Sequence, residues 1–140
     1  MANILGIDYG QKFIGYAIGN DITLTSSSQG TIIYKNQKKL FKEIQDLISE
    51  WEVKLIILGF PINMDDTESK MSKEVKSFQK KIEKSLNIEC KLHDERLSSF
   101  EAKEQKKIIK KNKIQPNPGI DALAAQVILE SWLREKSKNV

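Results

Sequence analysis

Ile4-Leu5-Gly6-Ile7-Asp8-Tyr9-Gly10-Gln11-Lys12-Phe13-Ile14-Gly15-Tyr16-Ala17-Ile18 is the stretch on which the reading of the fold turns. Its first half, Ile4–Tyr9, is short and almost wholly apolar, the pattern of a strand buried on both faces of a sheet. Gly10–Lys12 supplies a turn, and Phe13–Ile18 is a second strand. Thr31–Tyr34, rich in β-branched residues, reads as a third. Three strands joined by short connections predict an antiparallel meander.

Beyond it the apolar period changes from two to 3.6. Leu40, Ile44, Leu47, Ile48 and Trp51 predict an amphipathic helix over Gln37–Trp51. Leu55–Leu58 is a buried strand that ends at Gly59-Phe60-Pro61. The polar turn Asn63–Thr67 leads into a helix marked by Met71, Val75, Phe78, Ile82 and Leu86, and Glu89–His93 is a fifth strand. Ser98 and Glu101 form a capping box for a third, strongly basic helix that ends near Pro116-Asn117-Pro118-Gly119. A last helix is expected over Pro118–Arg134, with Asn117 as its N-cap. The order βββαβαβαα predicts an α/β fold: a mixed five-stranded sheet flanked by helices. That order suits the ribonuclease H-like fold.

No linker, repeat or low-complexity stretch interrupts residues 1–140, so one domain is expected. The single cysteine, Cys90, rules out an intramolecular disulfide and favours a reduced, cytoplasmic setting. No signal peptide is expected, because the first apolar run breaks at Asp8 with no basic segment before it. Leu55–Leu58 is far too short to span a bilayer. Charge is uneven: residues 1–70 carry 7 Lys and 9 Asp/Glu, residues 71–140 carry 16 Lys/Arg and 10 Asp/Glu. A basic half fits either a polyanionic partner or an ordinary solvated surface.

Three acidic positions stand out. Asp8 ends an apolar strand, where an ionised carboxylate is rare unless it is paired or holds a metal; Gly6 and Gly10 leave room beside it. Equally, it reads as the Asp of a hairpin turn. Asp94-Glu95-Arg96 follows the fifth strand, at the kind of strand end where α/β folds collect ligands, or forms an exposed turn with a local ion pair. Asp121 falls in the first turns of the last helix, where acids complement the dipole, but it shares a stripe with Ala124, Ala125, Ile128 and Trp132 that should face the sheet.

Acids from two strand ends and a core-facing helix can converge on one or two hard cations, Mg²⁺ or Mn²⁺, and so support in-line displacement at phosphorus. His93 has no His or Cys at zinc-ligand spacing, which argues against zinc. Lys103, Lys106, Lys107 and Lys110 follow one face of the third helix, and Lys111 and Lys113 extend it. Such a stripe can lie along a phosphate backbone, or be solvated surface. Without interleaved aromatics it would position a nucleic acid and not stack on its bases.

Four segments together resemble the YqgF/RuvX family: Gly6–Ala17; Leu58-Gly59-Phe60-Pro61-Ile62-Asn63-Met64-Asp65; Asp94-Glu95-Arg96-Leu97-Ser98-Ser99 with Glu101-Ala102; and Asp121-Ala122-Leu123-Ala124-Ala125 running to Ile128-Leu129 and Trp132-Leu133. The resemblance covers nearly the whole chain in order. It implies a ribonuclease H-like nuclease, described both as a Holliday-junction resolvase and as the nuclease that matures the 5′ end of pre-16S ribosomal RNA. By it, Asp8, Glu95 and Asp121 would be the catalytic and metal-holding acids, with Asp94 and Arg96 beside them and Gly59 and Pro61 as floor. Lys12, Arg96 and the lysine stripe would hold the nucleic acid. Two departures bear on substrate grip: Phe13 stands where the family usually has Arg, and Gln115-Pro116-Asn117-Pro118-Gly119 replaces a basic run.

The favoured substrate is structured RNA, with branched DNA as the alternative, for a monomer or weak dimer. Asp8-x-Gly10 followed by Gly15 also resembles the phosphate loop of actin-like ATPases and sugar kinases, but those clamp nucleotide between two such domains. A non-catalytic RNA-binding module is the third possibility.

Overall fold

A computed structural model describes residues 3–61, 63, 65, 67–95 and 118–138. The basic helix expected from Ser98, with Arg96 and the whole lysine stripe, lies outside the described residues, as does the Asn117 cap.

Strands β1 (Asn3–Asp8), β2 (Phe13–Asn20) and β3 (Thr25–Ile33) form the expected antiparallel meander. Helix α1 (Gln37–Trp51) leads to β4 (Val53–Phe60), and α2 (Lys70–Leu86) leads to β5 (Glu89–Asp94). Helix α3 (Pro118–Lys138) closes the chain. The sheet order is β3-β2-β1-β4-β5, with β1–β4 and β4–β5 parallel, so the sheet is mixed as the element order predicted.

β2 and β4 each extend two residues or so beyond the expected bounds, to Asn20 and over Val53–Phe60, and two elements differ more. β3 begins at Thr25, not Thr31, because Thr25–Ser28 pairs with β2 through its backbone at the sheet edge, where most of its polar side chains are exposed. No apolar alternation marks such a segment. α3 runs on to Lys138, four residues past Arg134, through charged positions that carry no helical stripe.

The pleat divides the core in two. Leu5, Ile7, Ile14, Ile18, Ile56, Leu58 and Phe60 face α1 and α2, where Leu40, Ile44, Val75, Phe78 and Ile82 complete the larger cluster. Ile4, Ala17 and Ile57 face α3 and meet Ala125, Ile128, Leu129 and Leu133. Each large side chain so buried contributes about 1.5–3 kcal/mol. Capping fixes the helices on the first face. The Asn36 side chain accepts from the Lys39 amide at 2.9 Å. Ser69 and Ser72 exchange side-chain-to-backbone bonds at the start of α2, and the Ser72 hydroxyl donates to the Pro61 carbonyl, tying that helix to the end of β4.

Candidate active site

Asp8 is the last residue of β1, and alternation puts it on the face of Ile4 and Gly6, toward α3. It is 3% exposed. Its register partner on β2 is Gly15. On the other side, the Ile7–Leu58 pair of β1 and β4 places Gly59 one step further along, next to Asp8. The carboxylate therefore stands between two glycines.

Each of those glycines brings in another acid. A Cβ on Gly15 would run into the backbone carbonyl of Asp121, so the first turn of α3 rests directly on β2 beside Asp8. A Cβ on Gly59 would lie 2.8 Å from Glu95 Oε1 and 2.5 Å from Ile128 Cδ1. Glu95 follows β5, whose His93 pairs with Gly59. Asp121 thus approaches from the Gly15 side and Glu95 from the Gly59 side, both half-buried. Asp94 is half-buried as well and pairs in register with Phe60. Among the described residues, no three His, Cys, Asp or Glu side chains stand close enough to hold a metal ion as they are.

The structure also assigns roles to glycines. Gly6 takes the backbone of α3, with a Cβ there 2.9 Å from Leu129 Cβ and 3.1 Å from the Ala125 carbonyl oxygen. Gly10 serves the turn, where a Cβ would strike the Phe13 carbonyl. The stripe expected to face the sheet is present: Ala125 and Ile128 are buried as expected and are joined by Leu129 and Leu133, while Asp121, Ala124 and Trp132 are half-buried. Lys12 lies exposed in the β1–β2 turn, at the same end of the strands as Asp8, and its carbonyl accepts from the Tyr34 amide at 2.8 Å.

His93 is 6% exposed and its Nε2 is 2.8 Å from Ser131 Oγ on α3. Burial pushes the imidazole below its ordinary range, against the opposing pull of Asp94 and Glu135. Ser131 gave no signal in the sequence, since a serine within a helix declares nothing about a partner 38 positions away.

The backbone resembles that of Thermus thermophilus RuvC in complex with a Holliday junction substrate, with a TM-score of 0.60 at 10% identity, covering 98% of this chain and 96% of that one. The yeast mitochondrial Holliday junction resolvase Ydc2 gives 0.54 at 11% identity, covering 98% of this chain and 80% of its own. At such identities the likeness is one of fold, and the fold is the ribonuclease H-like one that the element order suited. The profile of the family described as RuvX, Holliday junction resolvase, matches residues 2–135, and the chain belongs to that family.

Relatives named as candidate pre-16S rRNA nucleases are 39% identical over 134 residues in Pseudomonas syringae pv. tomato and 38% identical over 135 residues in Buchnera aphidicola subsp. Baizongia pistaciae. The first covers 94% of this chain and 91% of the relative, the second 92% and 94%. The protein is thus a nuclease, a hydrolase of phosphodiester bonds. Among the described residues, no helix is long and apolar enough to cross a membrane.

Proposed function

We propose that this nuclease matures the 5′ end of pre-16S ribosomal RNA in the cytoplasm, with Asp8, Glu95 and Asp121 as its catalytic acids. The observation that supports the site is the row Gly15–Asp8–Gly59, with the backbone of Asp121 packed on Gly15 and the side chain of Glu95 packed on Gly59. An acid 3% exposed, at the mouth of an apolar strand, is costly to keep charged unless something positive is held there. Three carboxylates with no thiolate and no paired imidazoles are the donor set of a hard cation, Mg²⁺ or Mn²⁺, which keeps waters and needs no closed cage. Once bound, such a cation supplies positive charge against the charge developing on the phosphate in flight.

The protein's own residues account for the rest. Asp8 is held by the sheet, and the missing side chains of Gly15 and Gly59 let the Asp121 backbone and the Glu95 side chain come in beside it. Asp121 and Glu95 can orient an attacking water by accepting its hydrogens. Lys12, at the rim, and the basic segment from Arg96 through Lys103, Lys106, Lys107 and Lys110 would grip phosphates without reading bases. RNA is favoured over a DNA junction because the relatives at 38–39% identity carry the rRNA name, whereas the junction-bound structures share only fold. The family description itself supports the second reading, a resolvase. A resolvase makes two symmetric cuts and needs a two-fold dimer, while a monomer or weak dimer suffices for one cut in RNA.

The test is purified protein with Mg²⁺ or Mn²⁺ on a structured pre-rRNA end and a four-way DNA junction, together with depletion in the native cell. Cleavage of the RNA, and accumulation of 16S rRNA with a 5′ extension, is the expected result. Normal rRNA ends alongside persistent junctions and a stable dimer would move the assignment to the resolvase.

A further inference from the structure

The acids sit on three separately packed elements, so something must fix how those elements stand to one another. Between α3 and the sheet most of the contact is apolar: Ile4, Ala17 and Ile57 below, Ala125, Ile128, Leu129 and Leu133 above. Apolar contact is non-directional; it holds a helix down but resists small slides and rotations weakly. A hydrogen bond is directional, and one shielded from water is held to its geometry more firmly still. His93 Nε2 and Ser131 Oγ make such a contact at 2.8 Å, with the two residues only 6% and 3% exposed.

Its position gives it leverage. His93 lies two residues before Glu95 and pairs in register with Gly59, against which the Glu95 side chain packs. Ser131 lies ten residues along α3 from Asp121, roughly 15 Å at the helical rise. One bond thus joins the strand that leads into Glu95 to the helix whose first turn carries Asp121. We infer that His93 and Ser131 are a positioning pair: their bond sets the axial and rotational seat of α3 on β5 and thereby the spacing of Asp121 and Glu95 around Asp8. This rests on the acidic-site reading above. Neither residue touches the substrate in this role.

The test uses the full chain with Ser131→Ala, Ser131→Thr and Ser131→Cys. It reads Mn²⁺ affinity without substrate, by the paramagnetic signal of free Mn²⁺, together with kcat, KM and Tm. Loss of a residue that orients site ligands costs about 10- to 100-fold in metal affinity or activity. Ser131→Ala should therefore lose kcat and Mn²⁺ affinity on that scale while KM stays near wild type, and Ser131→Thr, which keeps the hydroxyl, should recover most of both. Should the alanine variant not fold, Ser131→Cys, nearly isosteric and a weak donor, should show the same loss in smaller degree. A lower Tm with kcat and Mn²⁺ affinity unchanged in every folded variant would reduce the pair to a packing contact. Asp8→Asn run alongside separates the two ideas: if it remains active the site reading fails, and if it is dead while Ser131→Ala is normal only the positioning pair fails.

Discussion

Replacing Gly15 with alanine adds one methyl group at the point where the sheet, Asp8 and α3 meet. No glycine among the described residues has a positive φ, so the backbone itself accepts alanine and only space objects. The objection is severe: the new Cβ meets the carbonyl of Asp121 well inside contact distance and stands 2.7 Å from the Ala122 nitrogen. These are backbone atoms that cannot rotate away, so the first turn of α3 must retreat. Overpacking costs about 1–3 kcal/mol, with the upper end apt for a backbone obstacle. The lost freedom of the unfolded chain returns about 0.4–1 kcal/mol. The net is ~2 kcal/mol. At about 2.1 cal/mol/K per residue, a chain of this length changes by ~0.3 kcal/mol per degree, so Tm should fall by about 7 °C. A retreat on the order of 1 Å carries Asp121 with it, and misplacement on that scale costs about 100-fold in rate. Gly30→Ala is the control, since its Cβ would meet only the end of the Tyr16 ring, with Oη at 3.0 Å; stability should stay within about 0.5 kcal/mol. Thermal unfolding and metal-dependent cleavage of a labelled substrate measure both effects. Gly15→Ala indistinguishable from Gly30→Ala in both would refute the reasoning. A lowered Tm with full activity would keep the packing argument and remove Asp121 from the site.

Asp8→Asn should abolish cleavage while nucleic-acid binding and folding persist, with Tm equal to or above wild type; wild-type turnover in a preparation free of host nuclease would end the site assignment. Changing Lys106, Lys107 and Lys110 to Gln should weaken binding to all sequences and lower the log–log salt slope by roughly two to three, at about 0.7–0.9 per phosphate contact; an unchanged slope would mark the stripe as solvated surface. Burial, with Glu83 adding to it, pushes the Cys90 thiol up to about 12 from 9.0. The raised value means that the unfolded chain loses this proton first, so its stabilising contribution is intact below pH ~9 and declines as pH rises toward ~12. Denaturant melts at pH 8, 10 and 11 should show that decline, and Cys90→Val should flatten it; an equal alkaline loss in the variant would assign it elsewhere.

What could be read from the sequence follows from where the information lies. Gln37–Trp51 was legible to the residue because Leu40, Ile44, Leu47, Ile48 and Trp51 mark one face and polar residues the other. Thr25–Gln29 was not, because an edge strand is defined by a neighbour's backbone and its Ser and Gln side chains obey no inside–outside rule. Asp8 declared itself as a charge in an apolar run. That Glu95 should lie on Gly59 did not, since it depends on the parallel register of β4 with β5, a relation between segments more than thirty residues apart that no local pattern encodes. Gly6 and Gly15 were visible as glycines. That they admit a helix backbone became visible only when α3 was laid across them.

The site is assembled from choices that a structure built for stability alone would avoid. Gly6, Gly15 and Gly59 each place glycine within a strand, which costs about 0.5–1 kcal/mol relative to alanine and gives up a side chain to the core. Asp8 puts a carboxylate where Ile or Val would pack. With ordinary side chains at Gly6 and Gly15, α3 would ride higher on the sheet and carry Asp121 away from β2. The glycines and the acid therefore belong to one device, and their variants should separate it from generic packing. Asp8→Asn should abolish activity and Gly15→Ala lower it about 100-fold, yet the two should move Tm in opposite directions: the first removes a buried charge, the second adds bulk where the helix must touch. Were the row merely structural, both substitutions would lower Tm and activity would follow only the fraction folded.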